Sequence, residues 1–316
     1  MTRLFRDFSG SALSLRGSVV CIGAFDGLHL GHQHLLDEAK KIADESGLDL
    51  AVVSFEPLPR EYFARSNPPS RLILAAQKFR MLRALGVNFV GLLRFNFTLS
   101  QTSAAEFIEQ LLVQRLNAKA VLVGPDFYFG KNRQGTFELL QQAGLQHGFE
   151  AISVQPQLHV AERISSSSIR DDLQHGSLQA AAAKLGRGYA LEGKVVRGKQ
   201  LGRTLGYPTA NIRFQGRKPA LMGIYATWVH GVFAQPIASV SSVGTRPTVH
   251  GIEPLLEAHL FDFDDDLYGK NIRVEFVKKL RDELKFDGLD ALVNQMNQDA
   301  EQARAVLARQ TLGECA

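Results

Sequence analysis

The stretch 18–55 constrains the fold of this chain more than any other part of the sequence. It contains two short apolar runs, Ser18–Gly23 and Leu50–Phe55, which have the length and composition of buried strands. A glycine-containing loop follows the first run, and apolar residues then recur at helical spacing: Leu35, Leu36, Ala39, Ile42 and Ala43. The order strand, loop, helix, strand is a βαβ unit, which predicts a parallel sheet with a right-handed crossover.

The alternation of helix and strand patterns continues to about residue 155. The further predicted helices and strands are, in chain order, 76–85, 87–94, 103–115, 119–124, 135–147 and 151–155. This part of the chain is therefore expected to be an α/β domain with an open, Rossmann-like parallel sheet. In such sheets, ligands bind at the carboxyl ends of the strands.

The pattern changes near Gly186–Gly188, after a segment at 169–184 of helical composition. Six short runs rich in β-branched and aromatic residues follow: 189–198, 209–214, 223–231, 236–244, 255–262 and 271–280. These runs predict a six-stranded antiparallel β-barrel. A terminal amphipathic helix then places four apolar residues on one stripe: Leu289, Leu292, Val293 and Met296. We therefore expect two domains, 1–186 and 187–316.

The composition is that of a globular protein and argues against several other classes. No apolar stretch reaches the roughly 18 residues that a membrane span needs. Only two cysteines are present, Cys21 and Cys315, so neither a disulfide framework nor a cysteine-based zinc site is expected. The formal net charge of +4 is not gathered into a basic arm. The polar N-terminus lacks a signal-like apolar region, and a cytoplasmic protein is expected.

The loop Gly23–His32, between the first strand and the first helix, has the strongest chemical signal. Backbone N–H groups at a helix N-terminus favour a phosphate, and Gly27 and Gly31 permit close approach by a ligand. A single histidine is more often structural than catalytic. His29 and His32 together would add donors near a nucleotide's α-phosphate, where charge builds up as pyrophosphate leaves.

A run of serines precedes the predicted helix at 169–184. Hydroxyls of Ser165–Ser168, free backbone N–H groups and the Arg170 guanidinium could converge there on the β- and γ-phosphates of a nucleotide. The alternative interpretation is a helix N-cap with surplus serines, since a cap requires only one.

Two glycine-containing strings, 196–203 and 204–211, frame the start of the predicted barrel. Neither matches a P-loop. Lys199 and Arg203 could still close over phosphates, and Thr209 and Asn211 offer the oxygen ligands that magnesium accepts. Taken alone, Pro-Thr-Ala-Asn is also the composition of an ordinary turn.

The motifs in both parts of the chain resemble one family, the bacterial bifunctional riboflavin kinases and FAD synthetases. In the first part the similar strings are GAFDGLHLGHQHLL, FEPLPREYF at 55–63, VGPDFYFGKNRQG at 123–135 and ISSSSIR at 164–170. The first of them includes the HxGH signature of nucleotidyltransferases. In the second part they are LGYPTANI, GIYA at 223–226, VGTRPTV at 243–249, LLEAHLFDFDDDLYGK at 255–270 and RDELKF at 281–286.

The resemblance implies that the first domain adenylylates FMN to FAD with ATP. It assigns catalysis to His29 and His32. It assigns ATP and phosphate binding to Gly23, Phe25, Asp26, Gly27, Gly31, Ser166, Ser167 and Arg170, and the FMN and adenine pockets to Asp126, Phe127 and Lys131. Three positions depart from the family pattern: Ser167, where threonine is usual, Leu58, which is often polar, and Tyr128, which is commonly basic.

The resemblance implies that the second domain phosphorylates riboflavin to FMN, with Glu257 as general base. ATP binding would involve Gly198, Lys199, Arg203, Pro208 and Thr209, and Mg²⁺ would bind Thr209 and Asn211. The flavin would contact Arg281, Leu284 and Phe286, of which the last two could equally be plain core residues. The acidic cluster Asp264–Asp266 could hold a metal, but its composition favours a solvated connection between the fifth and sixth barrel strands.

Two alternatives remain open from the sequence. One keeps a single activity, with the adenylyltransferase the expected loss because of Leu58 and Tyr128, so that FMN accumulates. The other treats the HxGH string as the mark of an RNA-binding protein, but the chain lacks an aromatic-basic stacking surface. We expect small-molecule partners, no nucleic acid and no membrane, and the sequence leaves the oligomeric state open.

Overall fold

The structure is a computed structural model that describes residues 2–155, 158–159, 162–198, 205–248 and 251–313. The chain forms two compact units. The first comprises Met1–Pro69 and Lys78–Ser165, and the second comprises Ser70–Gln77 and Ser166–Ala316. The boundary between these units lies before the predicted division at 186, which refers to functional domains and stays a prediction.

The first unit contains a six-stranded parallel sheet with the order β1-β4-β3-β2-β5-β6. Its strands are β1 (Arg3–Phe5), β2 (Ser18–Ile22), β3 (Asp49–Glu56), β4 (Phe89–Arg94), β5 (Ala118–Val123) and β6 (Glu150–Ser153). Every pairing in it is parallel, which confirms the predicted open sheet. β1 was not predicted because three residues are too few to show a period. Two further short strands, β7 (Leu158–His159) and β8 (Glu162–Arg163), pair antiparallel.

The helices of this part of the chain follow the predicted alternation. They are α1 (Leu30–Ser46), α2 (Pro59–Phe63), α3 (Ala75–Ala84), α4 (Phe97–Gln101), α5 (Ala104–Glu106) and α6 (Phe137–His147). A π-helix at Phe107–Arg115 continues α5, within the single helix predicted at 103–115. α1 buries Leu35, Leu36, Ala39 and Ala43, as its spacing predicts. α2 and α4 are too short to show helical periodicity and were not predicted.

The helical segment predicted at 169–184 is two helices rather than one. α7 (Ser166–Gln174) and α8 (Leu178–Leu185) are separated at Gly176, whose φ of +75° is left-handed and ends a helix readily. α8 ends in turn at Gly186, with φ of +71°. Gly186 therefore marks a turn, as expected, whereas Gly188 has no left-handed φ and lies close to the Glu275 side chain. A further glycine, Gly176, divides the segment itself.

The second unit contains an antiparallel barrel of six strands in the order β10-β13-β12-β11-β14-β9. Its strands are β9 (Ala190–Lys194), β10 (Ala210–Arg213), β11 (Gly223–His230), β12 (Ile237–Thr248), β13 (Gly251–Leu260) and β14 (Asn271–Arg281). A bridge between Val196 and Asn211 links the two ends of this order and nearly closes the sheet. The predicted six-stranded barrel is therefore confirmed.

The terminal helix α9 (Leu289–Gly313) packs against the barrel strands β11, β12 and β14. Its buried residues include Ala303 and Leu307, which join a cluster with Ala226 and Phe261. Leu289 departs from the predicted apolar stripe, since it begins the helix and is 59% exposed. Among the described residues, no helix combines the length and the apolar character that crossing a membrane requires.

Candidate active sites

The two histidines of the HxGH string meet at the start of α1. His29 is the N-cap residue, and its Nδ1 accepts the backbone N–H of His32 at 3.3 Å. The two imidazole rings stack with their centroids 3.7 Å apart and an angle of 20° between their planes. Because His29 Nδ1 accepts a hydrogen bond, a neutral His29 carries its proton on Nε2. The predicted pair is thus brought together at a helix N-terminus that follows β2.

The surroundings of His32 favour the neutral imidazole. Burial holds the pKa of His32 well below its ordinary value, and the neighbouring His29 and Lys78 lower it further. Its Nδ1 atom is buried and has no hydrogen-bond partner among the described residues. The site therefore offers an uncharged imidazole rather than an imidazolium cation at neutral pH.

The loop that carries these histidines has an unusual backbone. Phe25, Gly27 and Leu28 all have positive φ values, of +46°, +86° and +43°. Two of them are not glycine, and such conformations cost of order 1–3 kcal/mol unless the surroundings hold them. Burial of Phe25 and Leu28 in the unit's interior provides that support.

The glycines of the loop make room for its own rings. A Cβ atom at Gly31 would lie 3.3 Å from the His29 ring, and one at Gly23 would lie 3.2 Å from the Phe25 ring. The Cβ position of Gly31 thus faces the His29 ring, and the close approach of a ligand to Gly31 stays a prediction. Asp26 is buried beside them in the same loop.

Lys78 is a residue of this site that the sequence analysis missed. It is 0% exposed, and its Nζ donates to the carbonyl oxygen of Ala24 at 2.6 Å and to Ser54 Oγ at 3.0 Å. The Ser54 hydroxyl donates to the same carbonyl at 2.9 Å. Lysines are almost never fully buried, so a lysine inside a helical pattern gives no sequence signal for this position.

An aromatic cluster lies where β3 and β4 end. The rings of Phe55, Tyr62 and Phe63 each lie 5.3–5.8 Å from the Phe95 ring, centroid to centroid. Phe63 is 70% exposed, so this cluster presents an apolar face. Leu58, a departure from the family pattern, is buried, and its backbone N–H donates to Glu61 Oε2 at 2.9 Å.

The loop after β5 contains the residues predicted for the FMN and adenine pockets. Phe129 and Gly135 exchange two backbone hydrogen bonds, which close the loop at its base. Phe127 stacks on the buried Phe129 with centroids 5.3 Å apart, while Asp126 and Lys131 are exposed. The structure therefore places the three predicted residues on one closed loop.

Tyr128 in this loop is half exposed, and the Arg133 guanidinium lies 4.6 Å from the centre of its ring. Such a contact between a cation and an aromatic face is favourable. Tyr128 stands where the family often has a basic residue, so Arg133 brings a basic group to that position from the same loop.

The predicted phosphate-binding serines and arginine lie at the start of α7, in the second unit. Ser166 is its first residue, Ser167 is exposed, and Arg170 Nε donates to the carbonyl oxygen of Ser70 at 2.6 Å. Phosphate binding by these residues remains a prediction.

The barrel unit contains a cavity of about 310 Å³. Five of the predicted kinase residues line it: Thr209, Glu257, Arg281, Leu284 and Phe286. Its other lining residues are Leu205, Tyr207, Ile224, Val240, Ser241, Ser242, His259, Glu283, Leu292, Met296 and Asp299. Residues far apart in the sequence are thus gathered around one pocket with both apolar walls and carboxylates.

Glu257 and Thr209 meet on one side of this cavity. β10 and β13 pair with Asn211 opposite Glu257, and the Thr209 hydroxyl donates to Glu257 Oε1 at 3.4 Å. Asn211 Nδ2 donates to the carbonyl oxygen of Thr209 at 3.0 Å. A Cβ atom at Gly198 would lie 2.9 Å from the Asn211 amide, so this glycine permits the position of Asn211.

The Asn211 side-chain oxygen stands out in this group. Asn211 is buried, and its Oδ1 has no hydrogen-bond partner among the described residues. An unpaired buried amide oxygen is costly, and it is also the kind of hard ligand that a divalent cation accepts. The residues present therefore fit a magnesium ion at this position.

The predicted flavin-contacting residues lie on another part of the cavity wall. Arg281 Nε donates to Asp299 Oδ1 at 2.8 Å, and its Nη2 also donates to Asp299 Oδ2, so a buried carboxylate holds the guanidinium. The Arg281 guanidinium lies 5.9 Å from the centre of the Phe286 ring. Leu284 is 56% exposed, which argues against a plain core role for it. Glu283, which was not predicted, has its pKa raised by burial and by Glu257.

Two other predicted features of the second domain are the basic residues Lys199 and Arg203 and the acidic run after β13. Lys199 and Arg203 lie outside the described residues. In the connection between β13 and β14, Asp262 pairs with Arg304, and Asp266 accepts the backbone N–H of Tyr268. The described part of the chain holds no group of three histidine, cysteine or acidic side chains that could bind a metal. Asp264, Asp265 and Asp266 are all exposed in this connection.

Two family models match the chain, one in each part. The model described as FAD synthetase matches residues 12–168, and the model described as riboflavin kinase matches residues 185–307.

Curated relatives match nearly the whole length. A bifunctional riboflavin kinase/FMN adenylyltransferase from Haemophilus influenzae is 41% identical over 96% of this chain and 98% of the relative. The protein of the same name from Escherichia coli strain K12 is 42% identical over 91% and 92%. One from Pseudomonas fluorescens is 41% identical over 93% and 94%.

A solved structure also covers the chain. A crystal structure described as a macrolide-efflux protein from Streptococcus pneumoniae has a TM-score of 0.75 and 32% identity, covering 96% of this chain and 98% of the other. The motifs, the two folded units, both family models and the full-length relatives agree. The chain belongs to the family of bifunctional riboflavin kinases/FMN adenylyltransferases.

Proposed function

We propose that this chain makes FAD from riboflavin in two ATP-dependent steps. Residues 187–316 convert riboflavin and ATP to FMN and ADP, and residues 1–186 convert FMN and ATP to FAD and pyrophosphate. The observation that carries the proposal is the barrel cavity, in which the Glu257 carboxylate and the Thr209 hydroxyl share one pocket with apolar walls. A flat apolar heterocycle needs such walls, and its polar chain needs a base at one end.

In the kinase step Glu257 is the general base. Its carboxylate accepts the proton of the ribityl 5′-hydroxyl as that oxygen attacks the γ-phosphorus and the bond to ADP breaks. Leu284 and Phe286 cover the isoalloxazine ring, and Arg281 is held beside them by Asp299. Gly198, Lys199, Arg203 and Pro208 are assigned to ATP from the family resemblance.

Thr209 and Asn211 are the residues that would hold Mg²⁺. Asn211 Oδ1, which accepts no hydrogen bond from the described part of the chain, supports this assignment, because a cation would satisfy it together with nucleotide oxygens. When bound, the ion neutralises charge on the transferred phosphoryl group. Thr209 and Asn211 serve to place the nucleotide phosphates opposite Glu257.

In the adenylylation step an FMN phosphate oxygen attacks the α-phosphorus of ATP, and pyrophosphate leaves. His29, whose Nδ1 accepts the His32 N–H, donates a hydrogen bond from Nε2 to the α-phosphate region, and the His32 ring stacks on it. Gly23, Phe25, Asp26, Gly27 and Gly31 shape the loop. From the resemblance, Ser166, Ser167 and Arg170 bind the leaving phosphates.

The first unit also offers a surface for the flavin of FMN. The aromatic face around Phe63 and Phe95 lies at the carboxyl ends of β3 and β4, where parallel sheets bind their ligands. Asp126, Phe127 and Lys131, on the loop after β5, are assigned to the FMN and adenine pockets. The cytoplasmic location and the absence of a nucleic-acid partner remain predictions from the sequence.

A chromatographic time course tests the two steps together. The purified chain is incubated with riboflavin, ATP and Mg²⁺, and riboflavin, FMN and FAD are separated over time. We expect transient FMN followed by FAD, and neither product when Mg²⁺ is chelated. Accumulation of FMN alone would favour the single-activity alternative, and absence of both products from folded protein would refute the proposal.

A further inference from the structure

His259 lies on the wall of the barrel cavity and has no part in the chemistry described above. It lies two residues beyond Glu257 on β13, and alternate residues of a strand face the same side. Its Nδ1 atom lies 2.9 Å from the carbonyl oxygen of Pro208. A carbonyl oxygen only accepts hydrogen bonds, so Nδ1 carries the proton and donates it.

The hydrogen bond from His259 reaches the turn that precedes β10. Pro208 has no backbone N–H, so its carbonyl is the main-chain group through which this residue can be held. Thr209 follows directly, and its hydroxyl contacts Glu257. Two side chains from one face of β13 therefore hold adjacent residues of the turn.

Thr209, in this segment, and Asn211, in β10, are the residues proposed to hold Mg²⁺. The carbonyl oxygen of Thr209 accepts the Asn211 amide at 3.0 Å, so a displacement of the turn moves both residues. The His259 ring is itself packed, since the Tyr207 ring lies 4.8 Å from it and the Tyr207 hydroxyl bonds to Asn297 of α9. His259 is thus held both by its hydrogen bond and by ring packing.

We propose that His259 is a positioning residue for phosphoryl transfer, which holds the Pro208 carbonyl and thereby keeps Thr209 and Asn211 in register with Glu257. The inference rests on the proposed kinase function. A misplacement of about 1 Å at a reacting group costs on the order of 10²-fold in rate. The contact is therefore expected to affect turnover more than flavin binding.

Two amide variants of His259 distinguish a role of its hydrogen bond to Pro208 from a role of its side-chain size. The amide nitrogen of His259→Asn lies as many bonds from Cβ as Nδ1 does, so it can reach the Pro208 carbonyl. The amide of His259→Gln lies one bond further out. We expect His259→Gln to lower the kcat for FMN formation by roughly 10- to 100-fold with little change in the KM for riboflavin. His259→Asn should retain most of the wild-type kcat.

Two controls accompany this comparison. FAD formation from added FMN, measured in the same chains, should not change. His175→Gln removes a similar contact, between Nδ1 and the carbonyl oxygen of Asp171 at 2.7 Å, from an exposed site outside the cavity, and should leave FMN formation unchanged. Thermal unfolding is used to check that each variant is folded. If His259→Gln does not fold, His259→Ala is tested in its place.

The outcomes separate this inference from the kinase function itself. A wild-type chain that makes no FMN would refute the function. A wild-type chain that makes FMN, with a folded Gln or Ala variant of equal kcat, would refute the role of His259. Equal impairment of the Asn and Gln variants would also refute the hydrogen bond as its basis.

Discussion

The ammonium group of Lys78 lies 2.6 Å from the carbonyl oxygen of Ala24, inside the first unit and just ahead of the loop with positive φ values. A fully buried lysine is unusual, and this one also contacts the Ser54 hydroxyl. The contact holds the start of the loop that presents His29. It also places a positive charge near His32, where it lowers the pKa of that residue.

Replacement of this lysine is the first prediction. We expect Lys78→Met to lower the rate of FAD formation from FMN by roughly 10- to 100-fold, because the Ala24 carbonyl loses the hydrogen bond from the ammonium group and the loop shifts. FMN formation by the same chain is the internal reference. Ser54→Ala, which leaves the ammonium contact in place, should have the smaller effect, and equal rates for wild type and Lys78→Met would contradict the prediction.

The protonation of His32 gives a prediction about pH. Its pKa in the folded chain lies below the value of about 6.5 expected for the unfolded chain. The unfolded chain therefore binds more protons as the pH falls, and this residue lowers folding stability below about pH 6.5 and not above it. Thermal unfolding of wild type and His32→Gln between pH 5 and 8 checks this.

We expect the unfolding temperature of the wild type to fall more steeply on the acid side than that of His32→Gln. Parallel curves for the two chains would show that His32 titrates normally. The difference between the curves reports His32 together with its electrostatic interaction with His29.

Removal of the proposed base is the third prediction. Glu257→Gln keeps the size of the side chain but cannot accept the ribityl proton, so FMN formation should fall by about 10²–10⁴-fold. Glu253→Gln is a matched control on the same strand, where Glu253 is outside the cavity and lies 3.9 Å from Arg213. If a folded Glu257→Gln chain forms FMN at the wild-type rate, Glu257 is not the general base.

The fourth prediction concerns the packing of Gly198 against Asn211. A Cβ atom at residue 198 would lie 2.9 Å from the Asn211 amide, so Gly198→Ala must displace that side chain. We expect the Mg²⁺ concentration for half-maximal FMN formation to rise several-fold, as one ligand moves. Gly288→Ala is the control, because nothing lies within 4 Å of its Cβ position. An unchanged Mg²⁺ dependence would argue against Asn211 as a ligand.

Local periodicity made most of the fold predictable from the sequence. The strands of the parallel sheet and of the barrel appear as apolar runs, because burial of a strand or of a helix face imposes its own spacing. The pairing of His29 with His32 was also local, since both lie in the first turn of one helix. The errors lay where the pattern was short or interrupted, as at β1, at Gly176 and at Leu289.

The sequence by itself determined the alternating α/β part, the six barrel strands and the motifs of a two-step flavin pathway, because each depends on neighbours within a few residues. Tertiary structure alone decided that Glu257 faces Thr209, 48 positions away, since strand pairing brings them together. It likewise decided that Lys78 is buried and that the Asn211 side-chain oxygen has no hydrogen-bond partner among the residues that the structure describes. Burial and hydrogen-bond satisfaction are properties of the packed chain, and no local pattern records them.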